Sequence, residues 1–252
     1  MPTLQDPYPA PRNSLTALSQ PTPPLIGLAH GSRHPEGSLG IERLMAAVAE
    51  QTGITTLAAY LDFAEPDLGG AVRQLADAGH PSAVIVPLLF TEAFHATVDV
   101  PETVRSVAES IPFHLIVTGI LGTGDDMAQL LRESMASSGI DDRASVLLFA
   151  VGSSMPAANE AVVDLAVRLT ENRRGLVRAC FGTCSPGVAD VMDGLPEPVA
   201  VVPLFLTDGL LLTSVRELAA QRGWRMAEPL GERAAELVRR RYDSARERPH
   251  VR

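Results

Sequence analysis

The stretch AVIVPLLFTEAFHATVD at 83–99 returns 116 residues later as VAVVPLFLTDGLLLTSV at 199–215, with Pro203 under Pro87. Two other segments repeat in the same order. PLIGLAHGSR (24–33) is matched by SVLLFAVGSS (145–154) at an offset of 121, and AAYLDFAEPDL (58–68) by RACFGTCSPGV (178–188) at 120, with Pro186 under Pro66. Three nearly constant offsets in one order mean an internal duplication, so the chain is expected to form two similar lobes.

Within the first repeat, LIGLA (25–29), TTLAAYL (55–61), AVIVPLL (83–89) and FHLIVT (113–118) read as buried parallel strands. Helices are expected near 37–52, 66–79 and 99–110. Leu39, Leu44, Ala47 and Val48 would form the apolar side of the first, and Gly53 suits its left-handed C-cap. Pro66 and Pro101 sit near helix starts, where proline costs little. Strand–helix alternation predicts an α/β fold: two flavodoxin-like lobes, each a parallel sheet flanked by helices. The predicted organisation is a disordered tail at 1–24, a first lobe at 25–140, a second at 141–245 and a tail at 246–252.

The two repeats share their apolar strands and prolines but not their polar chemistry. By the offsets above, Val151 stands under His30, Gly182 under Asp62 and Leu211 under His95. A fold that tolerates these losses does not need the three residues structurally, so the first lobe is expected to carry the chemistry. Ligands in open α/β sheets bind beyond the carboxyl ends of the strands. His30, Asp62 and His95 all follow strands and should meet at one sheet edge. Two imidazoles and a carboxylate suit a divalent first-row metal, or proton transfer near neutral pH. The remaining candidates read more simply. His80 lies in a turn, His114 in a strand and His250 in the tail; Glu92 is a solvated loop acid and Glu65 an acid near a helix start. His34 stays open. Cys180 and Cys184, matched to Tyr60 and Ala64, read as buried thiols.

Bulk properties narrow the class. The chain has 252 residues, 46% hydrophobic and 20% charged, enough for packed cores. A net charge of −9 argues against nucleic acid as a partner. Two cysteines cannot form a disulfide framework or a four-cysteine zinc site. The proline-rich N-terminal segment has no apolar core like that of a secretory signal, and no apolar run is long enough to span a membrane. A cytoplasmic protein is expected.

The segments HGSR (30–33), YLDFAEP (60–66) and VPLLFTEAFHATVDVP (86–101) resemble the class II tetrapyrrole chelatases, the sirohydrochlorin ferrochelatases and cobaltochelatases. The resemblance implies a lyase that inserts Fe2+ or Co2+ into sirohydrochlorin without ATP, Fe2+ giving siroheme. It implies a tetrapyrrole bound between the lobes and His30 and His95 as catalytic groups that also bind the metal. Asp62 would be the third ligand, where the family often has glutamate. Gly31, Ser32 and Arg33 would bind the carboxylates of the substrate. The metal is then a substrate and no tightly bound cofactor is expected. A monomer is expected too, because one chain already supplies both lobes.

Two other readings compete. HGSRHP also resembles the H-G-x-R-x-P core of the histidine acid phosphatases, but Ala29 stands where they carry arginine, and no later His-Asp pair follows. A metal or tetrapyrrole carrier could use the same cleft without catalysis.

Overall fold

A computed structural model describes residues 22–171 and 173–247. The first lobe runs β1 (Leu25–Ala29), α1 (Pro35–Thr52), β2 (Thr56–Tyr60), α2 (Leu68–Asp77), β3 (Ser82–Pro87), a π-helical turn (His95–Asp99), α3 (Val100–Ser110), β4 (His114–Val117) and α4 (Asp125–Ser137). The second runs β5 (Ser145–Ala150), α5 (Pro156–Thr170), β6 (Val177–Phe181), α6 (Val188–Met192), β7 (Val199–Pro203), α7 (Leu210–Arg222), β8 (Arg225–Met226), a 3-10 turn (Gly231–Ala234) and α8 (Ala235–Glu247). Each lobe has a four-stranded parallel sheet, ordered β2-β1-β3-β4 and β6-β5-β7-β8. The expected two-lobed α/β architecture is what forms.

The central strands β1, β3, β5 and β7 are buried almost throughout, which is why they read as unbroken apolar runs. β4 is an edge strand, and His114 and Val117 at its ends are exposed. Reading it as buried was wrong, because a strand with one neighbour keeps a solvated side. Alternate residues along each central strand serve different layers. Leu25, Val84, Val146 and Leu148 enter one core cluster that joins the two lobes. Ile26, Leu28 and Ile85 face the outer helices α2 and α3, while Leu147, Phe149 and Val201 face α6 and α7.

α1 buries Ile41, Leu44, Met45 and Val48, the i, i+3, i+4, i+7 set of one helical face. Leu39 is 47% exposed and does not belong to it. Two positions before Ile41 lie about 200° round the helix, so Leu39 faces solvent. Gly53 caps the helix as expected, at φ 69° with its N–H on the Ala49 carbonyl. Pro66 precedes α2 rather than opening it. Asp67 is the N-cap, its carboxylate accepting the Gly70 N–H at 2.6 Å.

The lobes exchange their last helices. α4 follows the first sheet but packs on α5 of the second lobe. α8 ends the second lobe but packs on α1 and β3 of the first. The expected boundary near 140 therefore divides the sheets but not the packing. Arg241 of α8 pins the exchange. Its Nε donates to the Ile120 carbonyl at 2.8 Å, Nη2 to the Leu121 carbonyl at 2.5 Å and Nη1 to Asp126 Oδ2 at 2.7 Å. Tyr242 donates to the Pro23 carbonyl at 2.6 Å, and the Pro24 carbonyl accepts from Val84 N–H. Pro23 and Pro24 are thus docked, and the expected tail shortens to the residues before them. Residues 1–21 and 248–252, including His250, lie outside the described residues.

Burial pushes the Asp126 carboxyl up, but its bond to Arg241, the guanidinium charge and the Met127 N–H together hold it below the ordinary 3.8. A carboxyl depressed in the folded state stabilises above its unfolded pKa, and loses that contribution as pH falls through the folded value. Arg241→Ala is expected to cost about 2 to 3 kcal/mol, read as a lower thermal midpoint at neutral pH. The stability gap between the parent and Asp126→Asn should be flat above about pH 5 and close below pH 3.8. A gap that widened in acid would contradict this account.

Candidate metal-handling site between the lobes

β1 ends at Ala29 because the chain must turn sharply into α1. Gly31 takes φ 99°, and a Cβ there would lie 1.7 Å from the Asp62 carbonyl oxygen. The HG pair is therefore a steric requirement: His30 leaves the strand end, and Gly31 lets the backbone press against the β2 loop. The Asp62 N–H donates to the His30 carbonyl at 2.9 Å, which ties the two loops together. Ser32 Oγ accepts the His34 N–H at 3.0 Å, and Pro35 opens α1.

The second lobe repeats this cradle. Gly152 takes φ 91°, Ser153 Oγ accepts the Met155 N–H at 3.1 Å and Pro156 opens α5. The polar groups are exchanged inside the same backbone, with Val151 in the place of His30. One alignment needs correction. Tyr60 N–H bonds the Pro66 carbonyl but Phe181 N–H bonds that of Pro186, so the first lobe's loop is one residue longer. Strand register puts Thr183, not Gly182, at the place of Asp62, since their N–H groups bond the His30 and Val151 carbonyls alike. It also pairs Cys180 with Ala59 rather than Tyr60. Cys180 is buried, which pushes its thiol up to about 12. Cys184 is only half-buried, beside Asn159.

The structure brings His30 and His95 face to face, with ring centroids 4.2 Å apart and planes tilted by 31°. His95 opens the π-helical turn, and its Nδ1 lies 2.5 Å from Asp99 Oδ2. Among the described residues, His30 Nδ1 is buried without a hydrogen-bond partner. Burial, then the neighbouring His95, lower the His30 pKa against the opposing pull of Asp62 and Asp99, which favours a neutral ring able to ligate. Asp62 stands at the same mouth, its Oδ1 accepting the Phe63 N–H at 2.8 Å. Among the described residues no three His, Cys, Asp or Glu side chains are set to enclose an ion together. The site is an open imidazole pair with carboxylates around it.

Two cavities meet at that pair. One, of about 430 Å³, lies between the lobes, with Leu88, Phe90 and Phe94 on one wall and Val151, Ser154 and Asn159 on the other. The other, of about 290 Å³, holds Asp62, Asp99 and Glu102. Both are lined by His30 and His95. A larger hollow between α4 and α5 is remote from this chemistry.

Arg33 stacks on Phe63, 4.5 Å from the ring centroid, and Phe63 stands edge-on to His30 at 5.6 Å. Phe63 has φ 61°, a left-handed conformation that a non-glycine residue rarely adopts. Sequence reasoning missed Phe63, Phe94 and Asp99. The available signal was that Phe63 and Phe94 are large apolar residues beside candidate ligands. His34 caps nothing with its side chain, Glu92 is exposed, and neither lines the two cavities.

Each sheet is parallel, and the imidazole pair stands beyond the carboxyl end of the first, facing the second lobe across the cleft. The chain matches the CbiX family over residues 24–138 and 145–245. It belongs to that family, the class II chelatases that its motifs resemble. A sirohydrochlorin ferrochelatase of Priestia megaterium is 25% identical over 204 residues, covering 77% of this chain and 76% of that protein. Among solved structures, SirB of Bacillus subtilis with Fe3+ has a TM-score of 0.72 at 22% identity, over 89% of this chain and 94% of that one. The sirohydrochlorin chelatase SirB of Bacillus subtilis subspecies spizizenii in complex with cobalt has 0.71 at 20%, over 90% and 94%. No helix among the described residues is long and apolar enough to cross a membrane.

The duplicated cradle separates structure from chemistry. Gly31→Ala and Gly152→Ala should both destabilise, since each adds a Cβ at positive φ, by about 1 to 2 kcal/mol before any clash. Only Gly31→Ala should also move the Asp62 loop, which its Cβ would strike. Thermal midpoints and a crystal structure of each variant check this.

Proposed function

We propose that this protein inserts a divalent metal into sirohydrochlorin, with Fe2+ as the metal and siroheme as the product. The observation that carries the reading is the facing His30–His95 pair where an apolar cleft meets an acidic chamber. Family membership and the ferrochelatase relative support it. The alternative metal is cobalt, which the cobalt complex of a structural neighbour supports. Thermodynamic affinity alone does not choose between them at an N/O site.

The reaction exchanges two pyrrole N–H bonds for bonds to the metal and releases two protons, with no change of oxidation state. A planar macrocycle between the lobes would meet Phe94, Leu88 and Val151 with its apolar surfaces. Its carboxylates are assigned to Gly31, Ser32 and Arg33, in the turn that follows His30, where Gly31 and Ser32 line a smaller hollow beside that imidazole. Asp62, Asp99 and Glu102 make the other side of the imidazoles attractive to a dication. A neutral imidazole can replace water on the ion and can take a pyrrole proton. His30 and His95 are assigned both tasks, and Asp62 offers an oxygen ligand and charge. The metal is consumed as substrate, so the enzyme needs neither resident cofactor nor nucleotide. One chain holds both walls of the cleft, which fits a working monomer.

Anaerobic absorbance assays with sirohydrochlorin and Fe2+ or Co2+ test the reading. Metal insertion should be accelerated without ATP, and His30→Ala and His95→Ala should each lose about 100-fold or more in rate. Both should keep the parent's circular dichroism, since neither side chain is part of a core. Phe94→Ala should raise KM for the macrocycle and leave KM for the metal unchanged. No acceleration with either metal would sink the chelatase reading, and faster turnover with cobalt would replace iron.

A further inference from the structure

The π-helical turn at His95–Asp99 has a counterpart that lacks both its shape and its polar ends. At the offset of 116, Leu211 and Val215 stand at the places of His95 and Asp99, and there α7 is an ordinary α-helix. The imidazole, the carboxylate and the widened turn occur together in one lobe and are lost together in the other.

The geometry makes the contact local. The Val100 N–H reaches the His95 carbonyl, so the chain is already helical at His95, and Asp99 stands four residues on, one turn away on the same face. Asp99 Oδ2 and His95 Nδ1 are 2.5 Å apart. A carboxylate can only accept, so Nδ1 carries a proton, and in the neutral ring the free lone pair is then on Nε2. We infer that Asp99 is a positioning residue: it fixes His95 as the Nδ1–H tautomer and sets its ring against His30, with Nε2 free for the metal ion. The inference rests on the reading of His95 as a metal-handling imidazole. Among the described residues His30 has no such support, its Nδ1 being unpartnered. Glu102 lines the same chamber and brings the same charge without bonding to His95. It is therefore the control that separates the hydrogen bond from the field.

The test needs no tetrapyrrole, so it stands apart from the chelatase assay. In 15N-resolved imidazole spectra of the metal-free parent, His95 should be the Nδ1–H tautomer. In Asp99→Ala that preference should disappear. Titration with Co2+, followed by its visible absorbance, should show binding weakened about 10- to 100-fold in Asp99→Ala and by a smaller factor in Glu102→Gln, which lowers the charge of the chamber but breaks no bond to His95. A His95 protonated on Nε2 in the parent overturns the inference even if Asp99→Ala does not fold. So does unchanged Co2+ affinity in Asp99→Ala, or an equal loss in Glu102→Gln, which would make charge and not the bond the cause.

Discussion

The exchange of terminal helices is the constraint on which the rest of this structure depends. A four-stranded sheet with both faces apolar needs cover on both, and here each lobe takes part of its inner cover from the other's chain. α4 goes to α5, and α8 goes to α1 and β3. Arg241 ties the two crossing segments at the start of α4, through two carbonyls and a carboxylate. One core cluster then runs through both lobes, which fixes the distance and angle between the sheets. The cleft exists because the carboxyl ends of both sheets are held facing across that distance.

Within this frame the duplication frees one lobe from chemistry. The second lobe keeps the glycine at positive φ, the serine that bonds its own turn and the proline that opens the next helix. It gives up the imidazoles and carboxylates and presents Val151, Ser154 and Asn159 as a wall. Two copies of one backbone thus yield a reactive side and a passive one. The passive side defines the space in which a flat molecule would lie, and the reactive side meets that space at a single point.

Much of this was legible in the sequence, for reasons that can be stated. Central strands reveal themselves because both faces are buried, and three repeated segments reveal the duplication. His30, Asp62 and His95 could be placed at one sheet edge because each follows a strand. What could not be read has physical causes. Anchoring the second segment on Pro66 and Pro186 shifted its register by one, because the loops before those prolines differ by one residue. The partner of α4 could not be read because an amphipathic face does not name the sheet it will cover. Asp99 was missed because the helix was expected to begin only near residue 99, and the i, i+4 spacing that pairs it with His95 holds only where the chain is already helical at His95.

The exchange of α4 and α8 also sets an order in time. A ribosome releases the first sheet long before it releases the helix that covers β3 and α1. Until residues 235–247 emerge, Leu25, Val84 and their neighbours lack that part of their cover. The first lobe, which carries the candidate site, is therefore the last to be finished. The chain cannot display its imidazole pair in final form until nearly all of it has been made, so a product truncated before α8 would be an incomplete fold rather than a half-enzyme with a loose partner.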